Sequence, residues 1–378
     1  MPIDFQNTER RSALRIVREA ELLGAELNSY HTRENLVLEA KFLRDDLPYF
    51  VELFGEVASS TKFQGSPALS GTESRETLTA VDYIYNEEVL PLIHLAHNRF
   101  LASVSEMAVN SAHSLAFHRG LGVPTAPAST TPYTKYIEPS TIELFSRTAY
   151  AKSNFAVVAN GAEHGDLSKW VNQFFDKLPA TPAEATSAGT EQSKYHGGEE
   201  RIAHNSGNAL VIGFPGSSSF TGKFYKPEIA VLASLLGGRS SIKWSPGFSI
   251  LANAKASPST QVNTTSAIYS DAGLLYTTIT GSTPNVAQTA RAAVDAIKKI
   301  AAGEISSEQI QKAKAAAKFK ELENGQDIKA GLELTGAGLV HGSKAYQIDE
   351  VAKAIDGVTD QAVKAVSSSI FRNWRAKF

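Results

Sequence analysis

A chain of 378 residues with a 42% apolar share is long enough for two or more domains with sizeable cores. Its 37 lysines and arginines nearly cancel 39 aspartates and glutamates, which leaves no electrostatic footprint for nucleic acid. Cysteine is absent, so disulfides, thiolate catalysis and cysteine-type zinc sites are excluded, and no apolar run approaches the roughly 20 residues that a helix needs to cross a bilayer.

Residues 5–46 read as one helix, two strands and the start of a second helix. Asn7 and Thr8 are cap candidates for the first helix. Ala13, Leu14, Val17 and Leu22 fall near one of its faces, and Arg10, Arg11, Arg15, Arg18 and Glu21 form a solvated remainder. Gly24 fits its end, where a left-handed residue is cheap only for glycine. A strand at 25–30, a polar turn at 31–34 and a strand carrying Leu36, Leu38, Ala40 and Phe42 in alternation follow. Asp45, Asp46 and Pro48 open a helix over 47–60, with Phe50, Leu53, Phe54 and Val57 on one stripe. The Ser-, Gly- and Thr-rich stretch 64–84 has little core pattern and reads as a poorly ordered surface insertion or a misread splice junction.

One or two helices are expected over 86–119, a loop over 121–139 and a helix over 140–150. A short buried strand at 155–159 ends at the turn signal Asn160–Gly161, and a helix follows at 167–178. Pro, Thr, Ala, Ser and Gly then collect over 179–198, the clearest linker of the chain. Beyond it the spacing predicts a strand at 209–214, a helix at 226–236, a hairpin of 262–269 and 274–280, and helices at 285–302, 307–323, 327–340, 348–355 and 359–372. The order resembles that of the first half, so the chain reads as two copies of one α+β unit, at 1–180 and 200–378, joined by 181–199.

Three strings in the first stretch carry more than periodicity. They are F-x-x-T-x-x-R-S (Phe5, Thr8, Arg11, Ser12), E-x-x-G-A-x-L-N-S-Y-x-x-R-E (Glu21 to Glu34) and L-x-x-D-L-P (Leu43 to Pro48). Together they resemble the peptidase family of insulysin and the mitochondrial processing peptidase. The resemblance is dense over 5–63 and continues through 86–180 and, more loosely, 200–372. It is strongest to the family's non-catalytic branch, the core subunits of mitochondrial ubiquinol–cytochrome c reductase (respiratory complex III).

That resemblance implies two similar domains, each a mixed, mainly antiparallel sheet covered by helices. It also implies a structural role on the matrix side of the inner membrane, peripheral to the bilayer. The implied partners are core protein 1 and other complex III subunits, including cytochrome b and the Rieske protein. Family strands and a ligand helix precede residue 5 and a strand follows 377, so both ends read as clipped, with any targeting segment outside the chain. Active members bind zinc through H-x-x-E-H, two imidazoles on one helix face with a glutamate to activate the metal-bound water, and through a second glutamate further on. The resemblance sets Met1 on the glutamate of that box, Pro2 on its second histidine, and 95–97 on the distal glutamate. The span 90–105 holds no Asp or Glu. The expectation is therefore a non-enzyme without catalytic, cofactor or metal residues, and without a cofactor. The alternatives are a catalytic or substrate-binding subunit of a zinc-dependent processing peptidase, and an unrelated small-molecule α/β enzyme.

The remaining motifs are weighed one by one. His94 and His97 share a helix face, but no carboxylate follows nearby and Glu87 and Glu88 lie across Pro91, so both read as ordinary histidines. His113 and His118 do not share a face well. The loop 216–223 suggests a phosphate cradle, but it is one residue too long and Phe224 stands where Ser or Thr should hold magnesium. Leu236-Gly-Gly-Arg-Ser-Ser241 faintly resembles a glycine-rich region of the processing peptidase. Asn263-Thr-Thr matches a glycosylation sequon inside a predicted strand, which disfavours it.

Overall fold

The computed structural model describes residues 7–61, 85–137, 139–182, 192–238, 247–255 and 257–372. The insertion 64–84, Met1, Pro2 and the last residues lie outside them. The chain divides into two compact units, 1–99 with 125–189 and 100–124 with 190–378.

In the first unit, helix α1 (Ala13–Leu22) starts where Ser12 accepts the Arg15 N–H, and the Asn7 side chain accepts the Ala13 N–H at 2.8 Å. It ends as expected at Gly24 (φ +64), with Gly24 N–H donating to Glu21 and Ala25 N–H to Ala20. Strands β1 (Glu26–His31) and β2 (Leu36–Lys41) form an antiparallel pair with Glu26 opposite Lys41. Helix α2 (Leu47–Ser60) follows a short helical turn at Arg44–Asp46.

Helix α2 is the centre of this unit because it is apolar on two faces, with only Glu52 and Glu56 charged. Phe50, Leu53 and Val57 pack with Ile16 of α1 and with Leu27, Leu38 and Ala40 of the hairpin. Leu47, Val51 and Ala58 pack with Phe175 and Leu178. The expected single stripe is thus two faces of one buried helix. Helices α3 (Leu90–Ala102), α4 (Val104–Phe117), α5 (Pro139–Ala149) and α6 (His164–Phe174) follow, with α4 packing in the second unit.

Two local expectations fail here. The segment 155–159 forms no strand among the described residues; Phe155 is held by its rings' neighbours, Tyr150 at 5.9 Å and Phe175 at 6.0 Å, rather than by a ladder. The arginine face is not simply solvated either. Arg11 lies before α1 and is mostly buried. It pairs with Glu56, with Glu52 at 3.1 Å and with Glu19 at 3.3 Å, while Thr8 also donates to Glu56. Tyr49 donates to Glu19 at 2.7 Å.

In the second unit, β3 (Asn208–Pro215), β4 (Gln261–Ile268) and β5 (Gly273–Gly281) make an antiparallel sheet in the order β3-β5-β4. The expected hairpin is β4–β5, closed by Tyr269 N–H to Ala272 O at 2.9 Å. Helix α7 (Pro227–Leu236) buries Ile229, Val231, Leu232, Leu235 and Leu236, and so sits in this unit as α2 does in the first. Around it and the sheet lie α8 (Thr283–Ala301), α9 (Ser307–Asn324), α10 (Ile328–Gly342), α11 (Ile348–Asp356) and α12 (Asp360–Arg372). The other sheet face takes α4: Ala116 and Phe117 pack with Leu274, Tyr269 and Tyr276. The described part of the Pro-, Thr- and Gly-rich stretch is fastened to this unit, with Ser193 bonded to Asp271, Tyr195 to Gly213 and His196 to Ala116.

Three stability predictions follow from the first unit. A Cβ on Gly55 would stand 2.7 Å from the carbonyl oxygen of Phe174. Gly55→Ala gains about 1 kcal/mol of helix propensity, but Gly55→Val adds overpacking of about 1–3 kcal/mol against a backbone atom that cannot yield. We expect the valine variant to lower the urea midpoint clearly and the alanine variant to lower it less. Arg11→Met leaves Glu56 buried without its cation and should cost about 3 kcal/mol in the same measurement; Arg11→Met with Glu56→Met should recover part of it. Hydrogen bonds from Arg15 and then Tyr49 hold the Glu19 carboxyl below its ordinary range. Its stabilisation is therefore full at neutral pH and is lost as pH falls through that lowered value. Glu19→Gln should flatten the acid side of a stability-versus-pH curve.

Candidate functional site

The positions that the resemblance assigns to zinc do not fit the ion. Pro2, Leu95 and Ala96 offer no ligating atom, and Met1 offers no carboxylate to activate water. His97 stands in the distal region on α3, where its Nδ1 donates to the Pro127 carbonyl at 2.7 Å. His94 is exposed on the same helix. Among the described residues, no group of three or more His, Asp or Glu is placed to hold a metal.

His113 has a different office. Its ring is buried in α4, donates from Nδ1 to the Val109 carbonyl at 2.7 Å and, in that tautomer, accepts at Nε2 from the Tyr269 hydroxyl at 2.8 Å. The rings of Tyr269 and Tyr276 meet it edge-on at 5.9 and 5.8 Å. The residue bolts α4 to the β4–β5 hairpin. His118 lies beyond the helix end, exposed and 4.3 Å from the His196 ring.

The loop 216–223 sits between β3 and α7, as a phosphate loop would, yet the amides at its glycines and at Ser219 are spent on the protein. Gly216 N–H donates to Gly273 O at 2.7 Å, Ser219 N–H to Tyr269 O at 2.7 Å and Gly222 N–H to Ser219 O at 2.8 Å. The buried Ser217 hydroxyl accepts the Lys226 N–H at 2.7 Å and so closes the start of α7. A Cβ on Gly216, Gly222 or Gly273 would stand 2.7 Å or less from backbone of the facing segment. These glycines let the loop lie backbone to backbone on the hairpin turn, which leaves no cradle for an anion. The glycines of the 236–238 motif serve packing too. Gly237 ends α7 at φ +55, and a Cβ there would meet Ser249 at 2.3 Å. The rest of that motif, 239–241, lies outside the described residues. Asn263 is on an ordinary stretch of β4, its amide donating to Thr265 at 3.1 Å.

Two further polar groupings were not anticipated. One is the Arg11–Glu19–Glu52–Glu56 cluster; its signal was Glu52 and Glu56 one turn apart in an otherwise apolar helix. The other is a pair of half-buried phenols, Tyr225 and Tyr346. Tyr346 donates to Glu321 at 2.9 Å, and burial, aided by Glu321, raises both Tyr225 and Tyr346 well above the ordinary phenol range. They remain neutral hydroxyls at any physiological pH. Beside Tyr346 runs an open groove of about 400 Å³ lined by Leu322, Gln326, Gln347 and Ile348. No described helix is long and apolar enough to cross a membrane.

Comparison with known proteins agrees with the fold. The family model "Insulinase (Peptidase family M16)" matches residues 3–104, and "Peptidase M16 inactive domain" matches 137–317. The expected α+β class, two such domains with helices and antiparallel sheets, therefore holds. Among curated proteins, the chain is similar to one from Neurospora crassa named cytochrome b-c1 complex subunit 2, mitochondrial, at 43% identity over 97% of this chain and 76% of the relative. Proteins of the same name from Yarrowia lipolytica and Schizosaccharomyces pombe are 36% and 32% identical, each over 97% of this chain and over 80% and 79% of the relative. With such likeness along nearly its whole length, the chain belongs to the insulinase-type peptidase family M16, alongside the mitochondrial cytochrome b-c1 complex subunits 2.

Proposed function

We propose that this chain is subunit 2 of a mitochondrial cytochrome b-c1 complex, a structural core subunit that carries out no peptidase chemistry. The observation that carries the reading is the 43% identity over 97% of the chain to a relative of that name, on a sequence with Pro2 at the second histidine of the zinc box and no carboxylate at 95–97. A peptidase fold without its metal can still work through its surfaces. Apolar side chains stay exposed on α5 (Leu144, Phe145) in the first unit and on α9 and α10 (Phe319, Ile328) in the second. Large exposed side chains of this kind favour burial against other subunits of an assembly.

The finer reading rests on the same argument. Its partners are the related core protein 1, cytochrome b and the Rieske protein, and its place is the matrix side of the inner membrane, peripheral to the bilayer. The domains divide at the Pro- and Thr-rich stretch 181–199. The rival reading, a zinc-dependent processing-peptidase subunit, lacks a carboxylate anywhere over 90–105.

The test is a native gel of gently solubilised mitochondria carrying the tagged chain. Co-migration with cytochrome b is expected, together with no stoichiometric zinc. A small soluble species that carries zinc and cleaves presequence peptides in a chelator-sensitive way would overturn the reading.

A further inference from the structure

We propose that Asn160–Gly161 is a site of spontaneous deamidation, a backbone-assisted modification that the fold permits at this Asn-Gly pair and suppresses at the other, Asn324–Gly325. The chemistry needs only water. The Gly161 amide nitrogen gives up its proton and attacks the side-chain carbonyl carbon of Asn160. A C–N bond forms, the Asn160 amide nitrogen leaves as ammonia, and a cyclic imide remains. Water then opens either carbonyl of the imide, giving aspartate or isoaspartate. The balance is one water consumed and one ammonia released, with a new negative charge at position 160.

Both pairs are exposed, so solvent access does not separate them. Backbone state does. Asn160 and Gly161 lie in a bend outside any helix or strand, Gly161 has φ +86, and no atom lies within 4 Å of where its Cβ would be. No backbone acceptor for the Gly161 N–H is found among the described residues. The attacking nitrogen and the chain around it can therefore reach the ring-closing geometry without breaking structure. Asn324 is instead the last residue of α9, and Gly325 holds helical dihedrals at its cap (φ −70, ψ −15). The Gly325 N–H donates to Glu321 O at 3.1 Å, and a Cβ on Gly325 would meet Ile348 at 2.4 Å. Here the nucleophile is engaged, the backbone is helical and the cap is packed, so the helix end must open before the ring can close.

The product has a defined setting. Position 160 stands just before α6, whose first turn already carries Asp166 behind the cap residue Glu163. An aspartate there adds charge at a helix N-terminus, which tolerates it. An isoaspartate lengthens the backbone next to Ala162, which packs against the core cluster of Leu47, Val51, Ala58, Phe175 and Leu178.

The experiment ages the purified full chain in mildly alkaline buffer and maps its peptides by mass after digestion at acidic pH, with an unaged sample digested in parallel. The Asn160 peptide should convert to the acid as an aspartate–isoaspartate doublet roughly tenfold faster than the Asn324 peptide, the scale on which one hydrogen bond holds a local structure closed. In concentrated urea the two rates should converge. Gly161→Ala should slow conversion at Asn160 and leave Asn324 unchanged. Equal or faster conversion at Asn324 in the folded chain, no conversion at Asn160, or a rate gap that persists in urea would each overturn the proposal.

Discussion

The constraint on which the rest depends is that each unit is built around a helix with no solvated side. Helix α2 is buried by the β1–β2 hairpin and α1 on one face and by the 174–178 region on the other. Helix α7 is buried by the three-stranded sheet and by α9, α11 and α12. A helix apolar on opposite faces gains little from water on either, so each demands layers on two sides. Size follows from this demand, because a short chain could not supply both layers. The close approaches follow as well: Gly55 is where α2 comes down onto the backbone at Phe174, and a side chain there would hold the layers apart.

The polar features answer to the same packing. Arg11 is tied to Glu56 and Glu52 because those two acids sit on a helix that offers little water. Removing either sign would strand the other, which is why the cluster is paired almost completely. His113 is spent in the same way, between a helix carbonyl and the Tyr269 hydroxyl. Arg11, Glu56 and His113 are bound into structure, so their presence carries little information about catalysis.

The glycine loop shows how local pattern and function part company. A strand, a glycine-rich loop with a lysine and a helix are the parts of a phosphate site, and 216–236 supplies them in order. Direction decides the matter. In a phosphate loop the amide N–H groups point outward to the anion. Here those of Gly216 and Ser219 point into the β4–β5 turn, and the glycines admit that turn's backbone rather than a ligand. What survives as function is surface. The chain belongs to the M16 family, and the exposed apolar residues of α5, α9 and α10 are the material for the assembly role proposed above.

The sequence by itself determined the elements whose signals are local. Alternation placed β1, β2 and the β4–β5 hairpin; Gly24 placed the end of α1; the Asp-Asp-Leu-Pro start placed α2; and the spacing of apolar residues placed α8 to α12 within a few residues. The three strings over 5–48 carried the family as well, because spacing and turn residues agree there together. Tertiary structure alone decided what depends on neighbours distant in sequence. It denied 155–159 a ladder partner, turned Arg11 inward to acids some 41 to 45 positions away, packed α4 on the sheet of the second unit, and set the amides of Gly216 and Ser219 against 269–273. Each of these outcomes is fixed by which surface meets which, and periodicity along one segment reports only that a face is apolar, not what will cover it.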